Sequence, residues 1–316
     1  MRRSVGQVLP PIFVVLAVAL GSRSLAALRS ANHRFSLTLS AESFPISGNH
    51  QSGIPELETQ INRANDSGDI RSAASDLNRV GLLFADDARF ADAQSLFAKS
   101  LALYRQLGNR EMEATVLSEI AITQSSLGQF NKSLDSHKKA LRVWRELANR
   151  EQEAATLGKI GEVFRMLKDF KEAQHFNQLA LPIYLEIGNR SGQAAVLNNM
   201  GLASFGDGDR RKAIKFFNRA RDSYYALGNK RNEAISTHNL AVAYFAMGDR
   251  KRARSFFDQA LLIRRSLGDR TAKVSTLISS GLTCAELGNA QILQECDTEF
   301  PTGDRQQKYQ QLREPH

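Results

Sequence analysis

Cysteine is nearly absent from this chain: Cys284 and Cys296 are the two in 316 residues. Two are too few for a disulfide framework, and their spacing fits no thiolate metal site. Free thiols are the expectation, with a single bridge as the alternative in an oxidising compartment. Proline is also scarce, at seven residues, so little interrupts a helical backbone. The histidines (His33, His50, His137, His175, His238 and His316) are scattered. There is no HExxH, no phosphate-binding P-loop, no GxSxG and no CxxC, so the common metal, nucleotide and nucleophile signatures are missing. "GDGDRR" at 206–211 superficially suggests a phosphate cradle or calcium loop. Its calcium spacing is incomplete, and the same column elsewhere is a turn between helices. No catalytic residue, metal site or cofactor is assigned, and the chain is expected not to be an enzyme.

The apolar run Val8–Leu20 has 13 residues, short of the roughly 20 that span a bilayer as a helix. Arg2 and Arg3 precede it, and "SLA" at 24–26 places small residues before Ala27. That order of positive, apolar and small residues predicts a signal peptide over 1–26 and an exported, periplasmic or extracellular protein. An uncleaved membrane anchor is the alternative. No cysteine follows the run, which removes a lipoprotein anchor. Three arginines and no acid in residues 1–26 leave +6 of the chain's formal +9 for the rest.

Residues 27–54 are rich in polar and turn residues and predict a linker. From Pro55 a helical period begins, and the chain then punctuates itself every 20 residues. "LGNR" at 107–110, "LANR" at 147–150, "IGNR" at 187–190, "LGNK" at 227–230 and "LGDR" at 267–270 alternate with looser versions midway. Within 149–188, Leu157, Ile160, Gly161, Phe164 and Leu167 mark one helix face. Phe170, Ala173, Phe176, Ala180, Ile183 and Tyr184 mark a second. The punctuation is a helix stop fused to a helix start. Gly108, Gly128, Gly188, Gly208, Gly228, Gly248, Gly268 and Gly288 suit the left-handed closing residue. Asn109, Asn149, Asp169, Asn189, Asp209, Asn229, Asp249, Asp269 and Asn289 suit the next N-cap. Connections this short make successive helices antiparallel.

Small residues recur at a spacing of 40: Gly81, Ala121, Gly161, Gly201, Ala241 and Gly281 in one column, Ala93, Ser133, Ala173, Ala213 and Ala253 in another. They let helix axes approach closely. Tyr104, Trp144, Tyr184 and Tyr224 form a large column that fills gaps between repeats. The fold class is therefore all-α: an α-solenoid of antiparallel helix pairs over 55–288, with about five full repeats and a partial sixth. Residues 289–316, with Asp297, Pro301 and Gly303, lose the pattern. They read as a divergent cap or the remains of a longer protein.

These columns resemble the tetratricopeptide repeat, for example Leu77, Gly81, Phe84, Phe90, Ala93 and Phe97, and Leu197, Gly201, Gly208, Ala213, Phe217 and Ala220. The period is 40 rather than the usual 34, as in bacterial arrays, some of which precede a CHAT-type peptidase domain. Gln124, Ser133 and His137 depart from the pattern and predict a softer second repeat. The resemblance implies a concave groove built from first helices that holds a protein or peptide partner. Its groove positions carry over to Ser118, Ile122 and Ser125, then Gly158, Glu162 and Arg165. They continue through Asn198, Asn199, Leu202 and Phe205 to His238, Asn239, Val242 and Phe245. The amides are expected to bond a partner's backbone, and Phe205 and Phe245 to supply apolar pockets.

Cations gather late: Arg210, Arg211, Lys212, Lys215 and Arg219, then Arg250, Lys251, Arg252 and Arg254, then Arg264 and Arg265. Most fall on second helices, the convex side. Without interleaved stacking rings they do not predict nucleic-acid binding. The expected function is a non-catalytic protein-interaction scaffold. The alternatives are a truncated relative of a repeat–peptidase protein, regulatory or inert, and a polyanion or membrane-surface binder through the basic face.

Overall fold

The computed structural model describes residues 69–268 and Thr276. The expected signal peptide, linker and tail, and the caps Asp269 and Asn289, lie outside the described residues. Those residues form ten α-helices of 17 residues each. In chain order they are α1 (Ile70–Asp86), α2 (Phe90–Gln106), α3 (Arg110–Ser126), α4 (Phe130–Glu146), α5 (Arg150–Met166), α6 (Phe170–Glu186), α7 (Arg190–Gly206), α8 (Arg210–Ala226), α9 (Lys230–Ala246) and α10 (Arg250–Ser266). The fold is an all-α, tetratricopeptide-like solenoid.

Several connections do two jobs at one residue, though Arg89 makes no side-chain cap. The N–H of Asn189 bonds back to the carbonyl of Tyr184 at 3.0 Å, and Gly188 N–H bonds to that of Leu185 at 3.2 Å. This pair of bonds closes α6 as a Schellman motif, with Gly188 at φ 68°. The Asn189 side chain then accepts the Gly192 N–H at 2.8 Å and caps α7. Asn149, Asp169, Asp209, Asn229 and Asp249 cap their helices in the same way. The seven described turn glycines all have positive φ, and Ala88, Ala148 and Lys168 hold that conformation where glycine is missing.

The chain divides into two compact units, residues 1–109 with 122–129 and residues 110–121 with 130–316. In the first, α1 packs on α2. A Cβ on Gly81 would stand 2.6 Å from the Phe97 ring, so the small column sets the helix approach. Ser100 donates from Oγ to the Ala74 carbonyl at 2.7 Å.

In the second unit, α5 pairs with α6, α7 with α8 and α9 with α10, and each pair packs on the next. The first helices α5, α7 and α9 also lie side by side. Leu157, Ile160, Ile183, Tyr184, Val196 and Met200 form one core cluster. Phe217 and Leu240 centre another, and Phe257 a third. The large column does fill the interior: Tyr104, Trp144, Tyr184 and Tyr224 are all buried. Position 97 and its repeats hold Phe97, His137, Asn177, Phe217 and Phe257, every one buried. His137 and Asn177 thus put polar groups where the other repeats bury a phenyl ring.

Candidate functional site

Successive residues of an α-helix turn by about 100°. On α7 this gathers Ser191, Ala195, Asn198, Asn199, Leu202 and Phe205 on one stripe, and each of them is half-buried. The remaining circumference carries the buried Ala194, Val196, Leu197, Met200 and Ala203. The matching stripe of α9 carries the half-buried His238, Asn239, Val242 and Phe245, and that of α5 carries Glu162 and Arg165. Because α5, α7 and α9 are neighbours, these stripes form one continuous face of the second unit.

The amides meet across two helices. Asn198 Oδ1 accepts from Asn239 Nδ2 at 3.0 Å and from the buried Ser236 Oγ at 3.3 Å. This fixes the orientation of both side chains. Asn199 makes no hydrogen bond among the described residues, and its half-buried amide keeps its full capacity for a ligand. Asn199 is therefore an unengaged amide of the face, beside the mutually bonded Asn198 and Asn239.

The aromatic positions are more enclosed than open pockets would be. Phe205 and Leu202 pack on the cluster of Phe217 and Leu240. Phe245 and Val242 pack on that of Ala253 and Phe257. The Arg250 guanidinium stands 4.1 Å from the Phe245 ring centroid and donates to the Phe245 carbonyl. One face of Phe245 is thereby covered by a cation. Spacing along a single helix could not show this cover, which comes from the first residue of α10.

His238 packs edge-on against Phe257 at 5.3 Å between ring centroids, and its Nδ1 lies 3.4 Å from Thr276 Oγ1. The buried Arg264 donates to the same threonine. Burial first, and then the Arg264 charge, push the His238 pKa down to about 3. The neutral imidazole is therefore the favoured form at physiological pH.

The α5 end is charged. Glu162 pairs with Lys159 at 3.5 Å, and Arg165 has no ionic partner among the described residues. Gly158 lies one turn before Glu162 on the same stripe of α5. Gly161, Gly192, Gly201 and Gly206 each have a side-chain atom within 3 Å of where a Cβ would sit, whereas Gly158 has nothing within 4 Å. A helical glycine without a packing reason leaves a small notch at the base of the face, where Gly158 itself is buried. Among the described residues no group of three His, Cys, Asp or Glu side chains could hold a metal. The face offers hydrogen bonding and a change from charged to amide to apolar character.

The tetratricopeptide repeat profile matches residues 71–146, 112–186, 152–226 and 192–266. The chain belongs to the tetratricopeptide repeat family. Solved tetratricopeptide-like structures share its architecture. BtubC (BKLC) from P. vanneervenii is 19% identical, with a TM-score of 0.60 over 71% of this chain and 94% of that one. Aspartyl phosphate phosphatase F from Bacillus subtilis is 15% identical, with a TM-score of 0.66 over 77% of this chain and 63% of that one. The signal transduction ATPase PH0952 from Pyrococcus horikoshii, which has a tetratricopeptide repeat sensor, is 15% identical, with a TM-score of 0.56 over 88% and 46%. At these identities the likeness is one of fold. No curated protein matches the sequence. The repeat family and its fold support a protein-interaction scaffold in general terms.

Proposed function

We propose that this tetratricopeptide protein is a non-catalytic scaffold that holds an extended segment of a partner protein along the face of α5, α7 and α9. The observation that carries this reading is the amide arrangement. Asn198 and Asn239 brace each other at 3.0 Å, and Asn199 beside them keeps an unengaged amide. An asparagine amide offers one acceptor and two donors, so it can pair with a peptide backbone without selecting a side chain. The Gly158 notch gives such a backbone room. A rigid frame around a free polar group lowers the ordering cost of binding.

Affinity capture from the cell envelope tests this reading. The intact protein should retain a partner that Asn199→Arg and Gly158→Leu variants lose, with helical circular dichroism unchanged in both. Equal retention by all three proteins overturns the assignment of the face. Phe205→Ala and Phe245→Ala are weaker tests, because both rings also pack on core clusters.

We further propose that the scaffold works outside the cytoplasm, on the signal-like residues 1–26. N-terminal sequencing of the protein made in its own cell should begin at Ala27. A protein that begins at Met1 and remains in the cytoplasm overturns export.

A further inference from the structure

We propose that the outward face of α8 docks an acidic stretch of a partner polypeptide, at a surface distinct from the α5, α7 and α9 face. Helix α8 buries Ala213, Phe217, Ala220 and Tyr224. The 100° turn per residue sets Arg211, Lys212, Lys215 and Arg219 on the opposite side. All four are exposed, and none has an acidic partner among the described residues. They extend over about 12 Å at 1.5 Å per residue, with successive turns about 6 Å apart, inside the roughly 8 Å screening length of physiological salt, so an acidic segment laid along them meets overlapping fields.

The stripe is particular to this helix. The same four positions are Ala91, Asp92, Ser95 and Lys99 on α2, and Asn131, Lys132, Asp135 and Lys139 on α4. They are Lys171, Glu172, His175 and Leu179 on α6, and Lys251, Arg252, Ser255 and Gln259 on α10. Two arginines elsewhere in the second unit are neutralised within the protein. Arg110 is bridged by Glu113 and Glu146, and Arg150 pairs with Glu153 at 2.6 Å and Glu186 at 2.9 Å. On α8 the one internal acid, Asp222, is held by Arg221 at 2.7 Å.

The arrangement works against the helix that bears it. Arg211, Lys215 and Arg219 are like charges at i, i+4 and i+8, which repel along a helix surface. The first turn of α8 has no acidic residue, and three cations there oppose the positive end of the helix dipole. Carboxylates of a bound partner relieve both penalties.

The surroundings favour an acidic polypeptide over nucleic acid or a bilayer. The nearby rings are already engaged: Arg252 lies over Tyr244 at 4.9 Å, Tyr244 stacks on Phe256 at 5.4 Å, and Arg221 lies over Phe256 at 5.7 Å. The exposed Tyr225 has the Lys230 ammonium 4.9 Å from its ring. Of these rings Tyr225, 67% exposed, keeps an open face, which is one platform where a single strand needs a run of them, and the stripe carries no apolar side chain to enter a membrane.

The test is fluorescence anisotropy of the full chain with a labelled 12-residue peptide of alternating glutamate and serine. Binding should weaken at least tenfold in the triple variant Lys212→Glu, Lys215→Glu, Arg219→Glu, and should weaken with added salt. The control Lys138→Glu, Lys139→Glu, Arg142→Glu on α4 should stay within twofold of the original protein. The α8 variant should keep its helicity and melt no earlier. Its substitutions turn the repulsion between positions 211 and 215 into attraction and set an acid in the first turn, which offsets the like-charge pair they leave at positions 215 and 219. Equal loss in the control, or no binding at all, overturns the proposal. So does α8-dependent binding that is tighter to phosphatidylglycerol vesicles or to a 20-nucleotide single strand than to the peptide. Asn199→Arg should leave peptide binding unchanged, so the α8 site and the amide face fail or succeed separately.

Discussion

The ring of Phe217 on α8 occupies the space beside Gly201 on α7, 2.5 Å from where a Cβ on that glycine would stand. Gly158 on α5 faces no such neighbour within 4 Å. The same substitution should therefore have opposite effects at the two sites. Gly201→Ala should destabilise by about 1–3 kcal/mol through overpacking, reduced by the better helix propensity of alanine. Gly158→Ala should stabilise by about 0.5–1 kcal/mol from propensity alone. Urea unfolding followed by circular dichroism measures both, and equal signs would contradict the packing described for the two helices.

His137 should make the second unit sensitive to acid. It is 2% exposed. Burial, and then the nearby Lys159 charge, push its pKa down to about 3 from an ordinary 6.5, against a smaller upward effect of Glu162. Between those values the unfolded chain binds a proton at this site and the folded chain does not, so stability is lost as pH falls through that window. At full slope one such group contributes about 1.4 kcal/mol per pH unit. His137→Phe, which restores the ring found at Phe97 and Phe217, should narrow the stability difference between pH 7 and pH 5 by about 2 kcal/mol. An unchanged pH profile would show that His137 titrates normally in the folded protein.

Ala148 and Lys168 hold φ values of 52° and 63° in turns where other repeats use glycine. A left-handed conformation costs a residue with a Cβ about 1–2 kcal/mol. Ala148→Gly and Lys168→Gly should each raise stability by about 0.5–1 kcal/mol, after the added freedom of glycine in the unfolded chain is set against the relief. A lowered melting temperature in both variants would count against strain at these turns.

The Asn198–Asn239 bond predicts energetic coupling between α7 and α9. Asn198→Ala and Asn239→Ala should be non-additive, with a coupling of about 0.5–1.5 kcal/mol in a double-mutant cycle. Additive effects would mean that each amide acts alone.

Much of this architecture was legible in the chain because it is local. Gly188 followed by Asn189 specifies a stop and a start within two residues, and the structure shows both at that place. The columns of Gly81, Gly161 and Gly201, and of Tyr104, Trp144, Tyr184 and Tyr224, announced close packing through their period. The face of α5, α7 and α9 was legible only as a set of positions. That Asn198 is tied to Asn239 and Ser236 while Asn199 is not depends on how two helices about 40 residues apart in the repeat period are rotated against each other. The cover on Phe245 depends on Arg250, which belongs to the next helix.

By itself the sequence determined the repeat, the helix boundaries and the antiparallel pairing, because caps, left-handed glycines and short turns act over a few residues and need no distant partner. Only the tertiary structure decided which glycines are filled by a neighbour's ring and which leaves a notch, which amide is spoken for, and which cations are neutralised. Those outcomes rest on distances between helices far apart in the chain. A small shift there separates a hydrogen bond, a stacked guanidinium or a close-packed ring from an open surface.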